Sequence, residues 1–393
     1  MSTRSNSFLL DAERDAVIEL RHAMHREPEL SNVEWKTQER IRGILQRFGL
    51  NAPKVFHNTG LYIDIEGRAS GPKRSIAVRG DIDALPIQEA RDDLPYRSQV
   101  DGVMHACGHD MHGSIALGTA LAFHRLRDNF AGRVRVFFQP AEEAEPLGGR
   151  TVQQEGLLDG FDKAVGFHVS TEIPAGMFGA REGAVTRSAD QFRLTITGSL
   201  AHGSYPHKGV DAIAIAAAFV NEVQKVVSRE MPADDAVVVS IGTIHGGTAT
   251  NIICASVVME GTIRTRSPER RALLCQRVSE VAEGVATMHR GRAECIIRSG
   301  EPPVVNDAEM VKRFRQLVHD VAGHDAFRDR KEAAGSDDFG FYAACVPSIY
   351  FWFGSRAPGN DSNVHTPTFG ASDDLVIPTT ELTVRYILDL LNS

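Results

Sequence analysis

The 393-residue sequence contains no long apolar run. Its longest, AIAIAAAFV at 212–220, falls far short of the ~20 residues that cross a bilayer. The first twenty residues, MSTRSNSFLLDAERDAVIEL, lack the continuous apolar core of a secretory signal, so a cytoplasmic location is the expectation. Cysteine is sparse: five residues, at 107, 254, 275, 295 and 345, odd in number and widely spaced. A disulfide framework needs closer, even pairing, so reduced thiols are expected, four of them as small buried hydrophobes. Basic clusters are missing too. Lys and Arg are scattered and the formal charge is −8, which argues against a nucleic-acid backbone as main partner. No internal repeat or low-complexity segment is present. What remains is 42% hydrophobic and 24% charged, the composition of an ordinary globular enzyme. The length exceeds what one hydrophobic core usually serves, so two domains are expected.

The pattern along the chain supports that division. Two helices are expected at 11–26 and 34–48, around Pro28. SIAVRGD (75–81), RVRVFFQP (133–140) and KAVGFHV (163–169) read as buried strands, with a helix over Ile115–Leu126 between the first two. Such alternation predicts an α/β fold, an open and mostly parallel sheet flanked by helices. Near residue 187 the texture changes. QFRLTITGS (191–199) alternates strictly, as a strand with one wet face does. A helix at 210–229, strands at 237–247 and 251–265, a helix at 268–289 and a strand at 293–298 follow. That is an α+β unit of four strands and two helices, predicted over 187–301. The first texture returns with a helix at 308–322, the strand PSIYFWF (347–353) and a C-terminal helix from about 378. The α/β domain is therefore expected at 1–186 and 302–393, interrupted by an insertion.

The densest chemistry lies in HACGHDMH (105–112), which places His105, Cys107, His109, Asp110 and His112 in eight residues. Thiolate and imidazole are preferred ligands of borderline-soft divalent metals. Histidines number only 15 in the whole chain, so three in eight is not a composition effect. QPAEEAE (139–145) follows a buried strand, and residues there face the ligand crevice of an α/β sheet. Its Glu142–Glu143 pair can divide labour between metal binding and proton handling. RGDIDALP (79–86) offers Asp81 and Asp83, which would clamp an imidazole, ligate directly, or cap a helix. His168 and His365 carry little weight alone. In the inserted unit, Asn251 in GGTATN and Arg264 in the following strand suit a carboxylate, since a guanidinium fork matches two oxygens; a hairpin turn and a surface cation would read the same way.

Taken in order, HREPELS (25–31), RGDIDALP, HACGHDMH, FFQPAEE (137–143), GFHV (166–169), AHGSYPH (201–207), GGTATN (246–251), GTIRT (261–265), GSDDF (335–339) and VHTPTF (364–369) make a specific pattern. The chain resembles the aminoacylase/hippurate hydrolase/indole-acetyl-amino-acid hydrolase branch of the co-catalytic metallopeptidases, from about residue 20 to the C-terminus. The resemblance implies two divalent metal ions per subunit (Mn, Zn, Co or Ni), held by Cys107, His109, Glu143, His168 and His365. It implies Glu142 as general base, Asp83 as its supporting acid, and His202 as a group reaching the substrate carbonyl, often from the other subunit. Asn251 and Arg264 match residues that hold the free carboxylate of the substrate. The inserted domain is implied to dimerise, giving a homodimer or a tetramer.

The implied reaction is hydrolysis of the amide bond of an N-acyl amino acid, giving a carboxylic acid and a free amino acid. A metal pair supplies activated water near neutral pH; Glu142 takes its proton and returns it to the leaving amine. A dipeptidase or N-acetyl-diaminopimelate deacetylase would use the same site. A non-catalytic binding protein would have no need of Glu142, and a cysteine hydrolase built on Cys107 would have no need of metal. Three departures from the family pattern touch the pocket: GSLAH before His202 in place of two glycines, Cys254–Ala255 in place of Pro-Asp, and Asp337 in place of Glu.

Overall fold

The computed structural model describes residues 7–233, 235–331, 333, 335–357 and 362–393. Residues 1–6 of the N-terminal segment considered above lie outside the described residues. Two compact units emerge: Met1–Gly183 with Val305–Glu332 and Phe341–Ser393, and Ala184–Val304 with Ala333–Gly340. Each has its own apolar core. The segment 333–340, which the sequence pattern leaves with the first domain, joins the second unit through backbone bonds. Ala333 N–H donates to Val185 O (2.8 Å) and Arg187 N–H to Gly335 O (3.0 Å).

The first unit is built on strands β1 (Lys54–Phe56), β2 (Gly60–Glu66), β3 (Ser75–Asp81), β4 (Arg133–Gln139), β5 (Lys163–Pro174), β6 (Phe178–Ala180), β7 (Phe327–Asp329) and β8 (Ser348–Arg356). They form one sheet in the order β1-β2-β4-β3-β5-β8-β6-β7. The four central strands, β4, β3, β5 and β8, are mutually parallel; β1 and β2 add antiparallel on one side, and β6 pairs antiparallel with β8 on the other. Strands β1 and β2 lie outside the sequence reading. Tyr62 and Asp64 of β2 stand between Leu61, Ile63 and Ile65, and Asp64 accepts from Arg135 of β4 at 2.6 and 2.7 Å. A charged pair across two strands hides a buried sheet from a hydropathy pattern.

The helices include α1 (Asp11–Arg26), α2 (Trp35–Arg47) and α3 (His109–Arg125). Helix α3 starts six residues before the expected Ile115, so His109 and His112 stand in its first turns. It is buried from His109 to Phe123, as a helix surrounded by protein is. Gly80 lets it approach the sheet: a Cβ there would stand 2.4 Å from His112 O. Although β4 and β5 follow each other in the chain, they flank β3 on opposite sides. The order reverses at β3, and the ligand crevice of such a sheet opens at the carboxyl ends of these strands.

The second unit has a four-stranded antiparallel sheet in the order Val238–Gly246, Ser256–Arg264, Asp190–Thr197, Arg292–Arg298. In Asp190–Thr197 the residues Phe192, Leu194 and Ile196 are buried, as the alternation predicts. Helices Ala212–Lys225 and Pro268–Met288 accompany the sheet; Asp211 caps the first and Ser267 the second. The single strand expected at 251–265 is broken: Ile252–Ile253 pairs instead with Ala201–His202. Among the described residues no helix is long and apolar enough to cross a membrane.

Candidate metal centre

Carboxyl-end residues of the central strands meet the start of α3. Gly108 precedes the helix at φ 87°, and a Cβ on it would come within 2.6 Å of Val169 Cγ1. Glycine therefore lets Cys107 and His109 turn toward β5 at close range. Asp81 ends β3 and Asp83 follows two residues later, both buried. The loop after β4 supplies Glu142 and Glu143, and β5 carries His168. His365 sits in a loop after β8 at φ 61°, tied down by its own N–H to Ala106 O at 2.7 Å.

The five residues assigned by resemblance as ligands converge. Cys107 Sγ lies 3.3 Å from His168 Nε2 and 3.2 Å from His365 Nε2. His365 Nε2 is 3.1 Å from Glu143 Oε1. Donor atoms of Cys107, His109 and His168 lie within 4.8 Å of one another, as do those of Cys107, Glu143 and His365. Two triads thus share one sulfur. Glu142 joins a further group with His109 and Glu143. Among the described residues His109 Nε2, buried and 3.7 Å from Asp81 Oδ2, has no hydrogen-bond partner, an arrangement that costs free energy unless something else satisfies it. A divalent cation fits this donor set, because neutral imidazole nitrogens, thiolate and carboxylate suit such ions.

The surrounding residues orient these donors. His109 Nδ1 donates to Asp83 Oδ1 at 3.1 Å, which leaves Nε2 facing the cluster. His168 Nδ1 donates to the carbonyl of Val169 at 2.6 Å, turning its Nε2 toward Cys107. His112 donates from Nδ1 to Asp81 Oδ1 (2.6 Å) and accepts the Val169 N–H on Nε2 (3.0 Å). His112 is therefore a support for the strand that carries His168, and Asp81 in turn lies 2.5 Å from Arg79 Nη1. Such partners fix tautomer and ring orientation. His105 and Asp110 do not join the cluster: Asp110 bonds His25 Nδ1 at 3.0 Å, and His105 is buried beside His25.

Charge explains why a cation belongs here. Burial disfavours the His109 imidazolium, yet Asp81 and Asp83 outweigh it and hold the group up to about 10. Those same carboxylates would favour a cation replacing the Nε2 proton. Burial, then His112, pushes His168 well down and keeps it neutral. Burial pushes the Cys107 thiol well up, and Glu143, Glu142 and Asp81 add to it. A nucleophilic cysteine needs the opposite shift.

The remaining residues assigned from sequence lie in the second unit. His202 is exposed and accepts the Ser204 N–H on Nδ1 at 3.1 Å. Its neighbour across the short bridge is Ile252, and Gly203 N–H bonds Asn251 O at 2.7 Å. His202 and Asn251 are thus brought together, beyond the strand ends at Thr197 and Ser256. Arg264 lies at the other end of Ser256–Arg264, donating to Ser188 O at 3.4 Å. At ~3.3 Å per residue the strand alone spans about 26 Å. One copy of the unit does not bring Asn251 and Arg264 onto one carboxylate.

Sequence reasoning missed Ser31, Asn32 and Glu34. Ser31 Oγ donates to Asp83 Oδ2 at 2.7 Å, Asn32 Nδ2 to Ala144 O at 3.3 Å, and Glu34 accepts the Ala141 N–H at 2.9 Å.

A cysteine, imidazoles and carboxylates clustered at the strand ends of an α/β sheet make a candidate metal centre, and the relatives of the chain make it a metal-dependent amidohydrolase. The chain belongs to Peptidase family M20/M25/M40, which it matches over residues 77–389. It is 72% identical to the Uncharacterized hydrolase y4tI of Sinorhizobium fredii, over 99% of this chain and 96% of that one. It is 34% identical to the N-acetyl-L-cysteine deacetylase of Bacillus subtilis, over 96% of this chain and 88% of the relative. A crystal structure of the Bacillus subtilis YXEP protein, a dinuclear metal binding peptidase from the M20 family, superposes with a TM-score of 0.81 at 31% identity, covering 97% and 99% of the two chains. The aminoacylase-type branch inferred from the motifs is the right one, and divalent metal ions go with it.

Proposed function

We propose that the chain hydrolyses the amide bond of N-acyl amino acids carrying a free carboxylate, with Cys107, His109, Glu143, His168 and His365 holding two divalent ions. The observation that carries this reading is the pair of donor triads sharing Cys107 Sγ, with Glu142 beside them. The similarity to an N-acetyl-L-cysteine deacetylase supports the substrate class. Bound divalent ions supply Lewis acidity and water of lowered pKa. Glu142 accepts the proton of the attacking water and delivers it to the leaving nitrogen. Asp83 holds His109 in its tautomer, and His202 donates to the oxyanion that develops on the carbonyl. Arg264 and Asn251 grip the carboxylate, which Arg does with two parallel bonds.

Because Asn251 and Arg264 lie at opposite ends of the second unit, this reading takes Arg264 from one copy and His202 with Asn251 from another. A homodimer follows. Leu200, Tyr205, Ile213, Ile244 and Ile252, all large and exposed, surround the His202–Asn251 end in sequence, and the edge strand Val238–Gly246 is open to pairing. A monomer by light scattering at assay concentration would overturn this part.

The substrate class is tested with N-acetyl, N-benzoyl and N-indolylacetyl amino acids, as free acids and as methyl esters, with and without added Mn. Free acids are expected to exceed esters in kcat/KM by about 10²-fold or more, since an unpaired site group is costly. Arg264→Ala should erase that preference. Equal cleavage of acids and esters by the wild type sinks the carboxylate roles; dipeptides or N-acetyl-diaminopimelate outrunning the whole panel would move the substrate within the same site.

A further inference from the structure

The loop that carries Glu142 leaves β4 through Pro140 and Ala141, and Ala141 adopts φ 51°. A left-handed alanine is disfavoured unless its surroundings fix it. Two carboxylates hold the loop, one on either side of Glu142. Glu34 Oε1 accepts the Ala141 N–H at 2.9 Å, and Asp83 Oδ2 accepts the Glu143 N–H at 3.0 Å. Asp83 is tied to His109 and to Ser31. Glu34, fully buried just ahead of α2, also accepts the Asn32 N–H on Oε1 (3.0 Å) and the Thr59 hydroxyl on Oε2 (2.6 Å). Asn32 adds a bond to Ala144 O, and its Oδ1 accepts from His57 Nε2 at 2.8 Å.

We propose that Glu34 is a positioning residue for hydrolysis, whose hydrogen bond to the Ala141 amide, with the Asp83 bond to Glu143, sets the direction of the Glu142 carboxylate. The inference rests on the amidohydrolase reading above. A buried carboxylate is expensive to keep, and α2 takes no side-chain cap from Glu34; its oxygens serve the Ala141 and Asn32 amides and the Thr59 hydroxyl. Burial, with Asp83 nearby, pushes the Glu34 carboxyl up to about 7. The clamp tolerates either protonation state, because a proton on Oε2 can be accepted by the Thr59 hydroxyl while Oε1 keeps both amides. What the clamp requires is reach and an acceptor oxygen, not charge.

That distinction gives the test. Glu34→Gln keeps the reach and Oε1 and loses the charge; Glu34→Asp keeps the charge and shortens the side chain by one methylene. Glu34→Gln is expected to stay within about fivefold of wild-type kcat, and Glu34→Asp to lose on the order of 10–100-fold in kcat, the size of effect that supporting hydrogen bonds carry. KM and metal content should hold in both. Thr59→Ala, which removes one anchor of Glu34 but not the Ala141 bond, should alter thermal stability alone. Amide hydrogen exchange across 140–147, faster in Glu34→Asp and unchanged in Glu34→Gln, reads the clamp with no substrate present. It therefore separates failure of the clamp from failure of the amidohydrolase reading. The reverse order of the two variants, equal losses in both, or unchanged exchange in Glu34→Asp would overturn the proposal. Should Glu34→Asp not fold, a loss of kcat beyond fivefold in Glu34→Gln with metal content intact would do so on its own.

Discussion

Replacing Glu142 by glutamine is expected to lower kcat by about 10²–10⁴-fold, the usual contribution of a positioned general base, while the metal content measured by plasma mass spectrometry stays at the wild-type value. The two halves of this expectation come from different atoms. Glu142 belongs to a group with His109 and Glu143, close enough for its carboxylate to handle protons where the donors converge, yet it is absent from both triads that share Cys107. Glutamine is nearly isosteric and leaves the loop bonds of Ala141 and Glu143 in place, because those are made by backbone amides. An amide side chain cannot accept a proton near neutral pH, so turnover goes and binding stays. KM for the free acids should change little, since the carboxylate grip is assigned to Arg264 and Asn251. A Glu142→Gln enzyme with a tenth or more of wild-type kcat would mean that the proton leaves by another route, and the role given to Glu142 would be wrong.

How far the sequence reaches toward this site depends on how local each signal is. HACGHDMH was legible because its residues are adjacent, and Cys107 and His109 do point to one place. The beginning of α3 was not. His109, Asp110 and His112 look like a polar loop by composition, yet they are helical and buried, because Asp83, His25 and Asp81 pair with them from other elements. Tertiary partners overrode the local pattern. His168 and His365 gave almost nothing alone and entered only through the resemblance; their roles are long-range, with His365 meeting a cysteine 258 residues earlier in the chain. Glu34 had no signal at all. Its partner is a backbone amide 107 residues away, and no spacing rule connects an acid before one helix with the amide of alanine in a distant loop. The division into two units was readable from the change in strand texture near residue 187, whereas the return of 333–340 to the second unit depends on backbone pairing with Val185 and Arg187. The relation of Asn251 to Arg264 is the sharpest lesson of the second unit: motif order made them neighbours in role, while strand length sets them far apart within one copy.

Replacement of Cys107 by alanine is the second large effect expected. Cys107 Sγ lies within 3.3 Å of His168 Nε2 and 3.2 Å of His365 Nε2 and is the donor common to both triads. Losing a supporting residue around a metal typically costs 10–100-fold in affinity, so removing a residue proposed as a ligand itself should cost at least about that. Cys107→Ala is expected to retain well under half of the wild-type metal after dialysis and to lose essentially all turnover. The same loss is expected when the wild type is treated with a chelator, and there added Mn, Zn, Co or Ni should restore it. The pairing of these experiments is what decides between chemistries. A thiol hydrolase would also die with Cys107→Ala, but it would ignore the chelator, and iodoacetamide would alkylate it fastest in the active state. The Cys107 thiol, pushed well up by burial and then by Glu143, Glu142 and Asp81, should resist alkylation in the metal-loaded enzyme if its sulfur is a ligand. A chelated enzyme with full activity would refute the metal-dependent reading, and a Cys107→Ala enzyme that keeps its metal would refute Cys107 as a ligand.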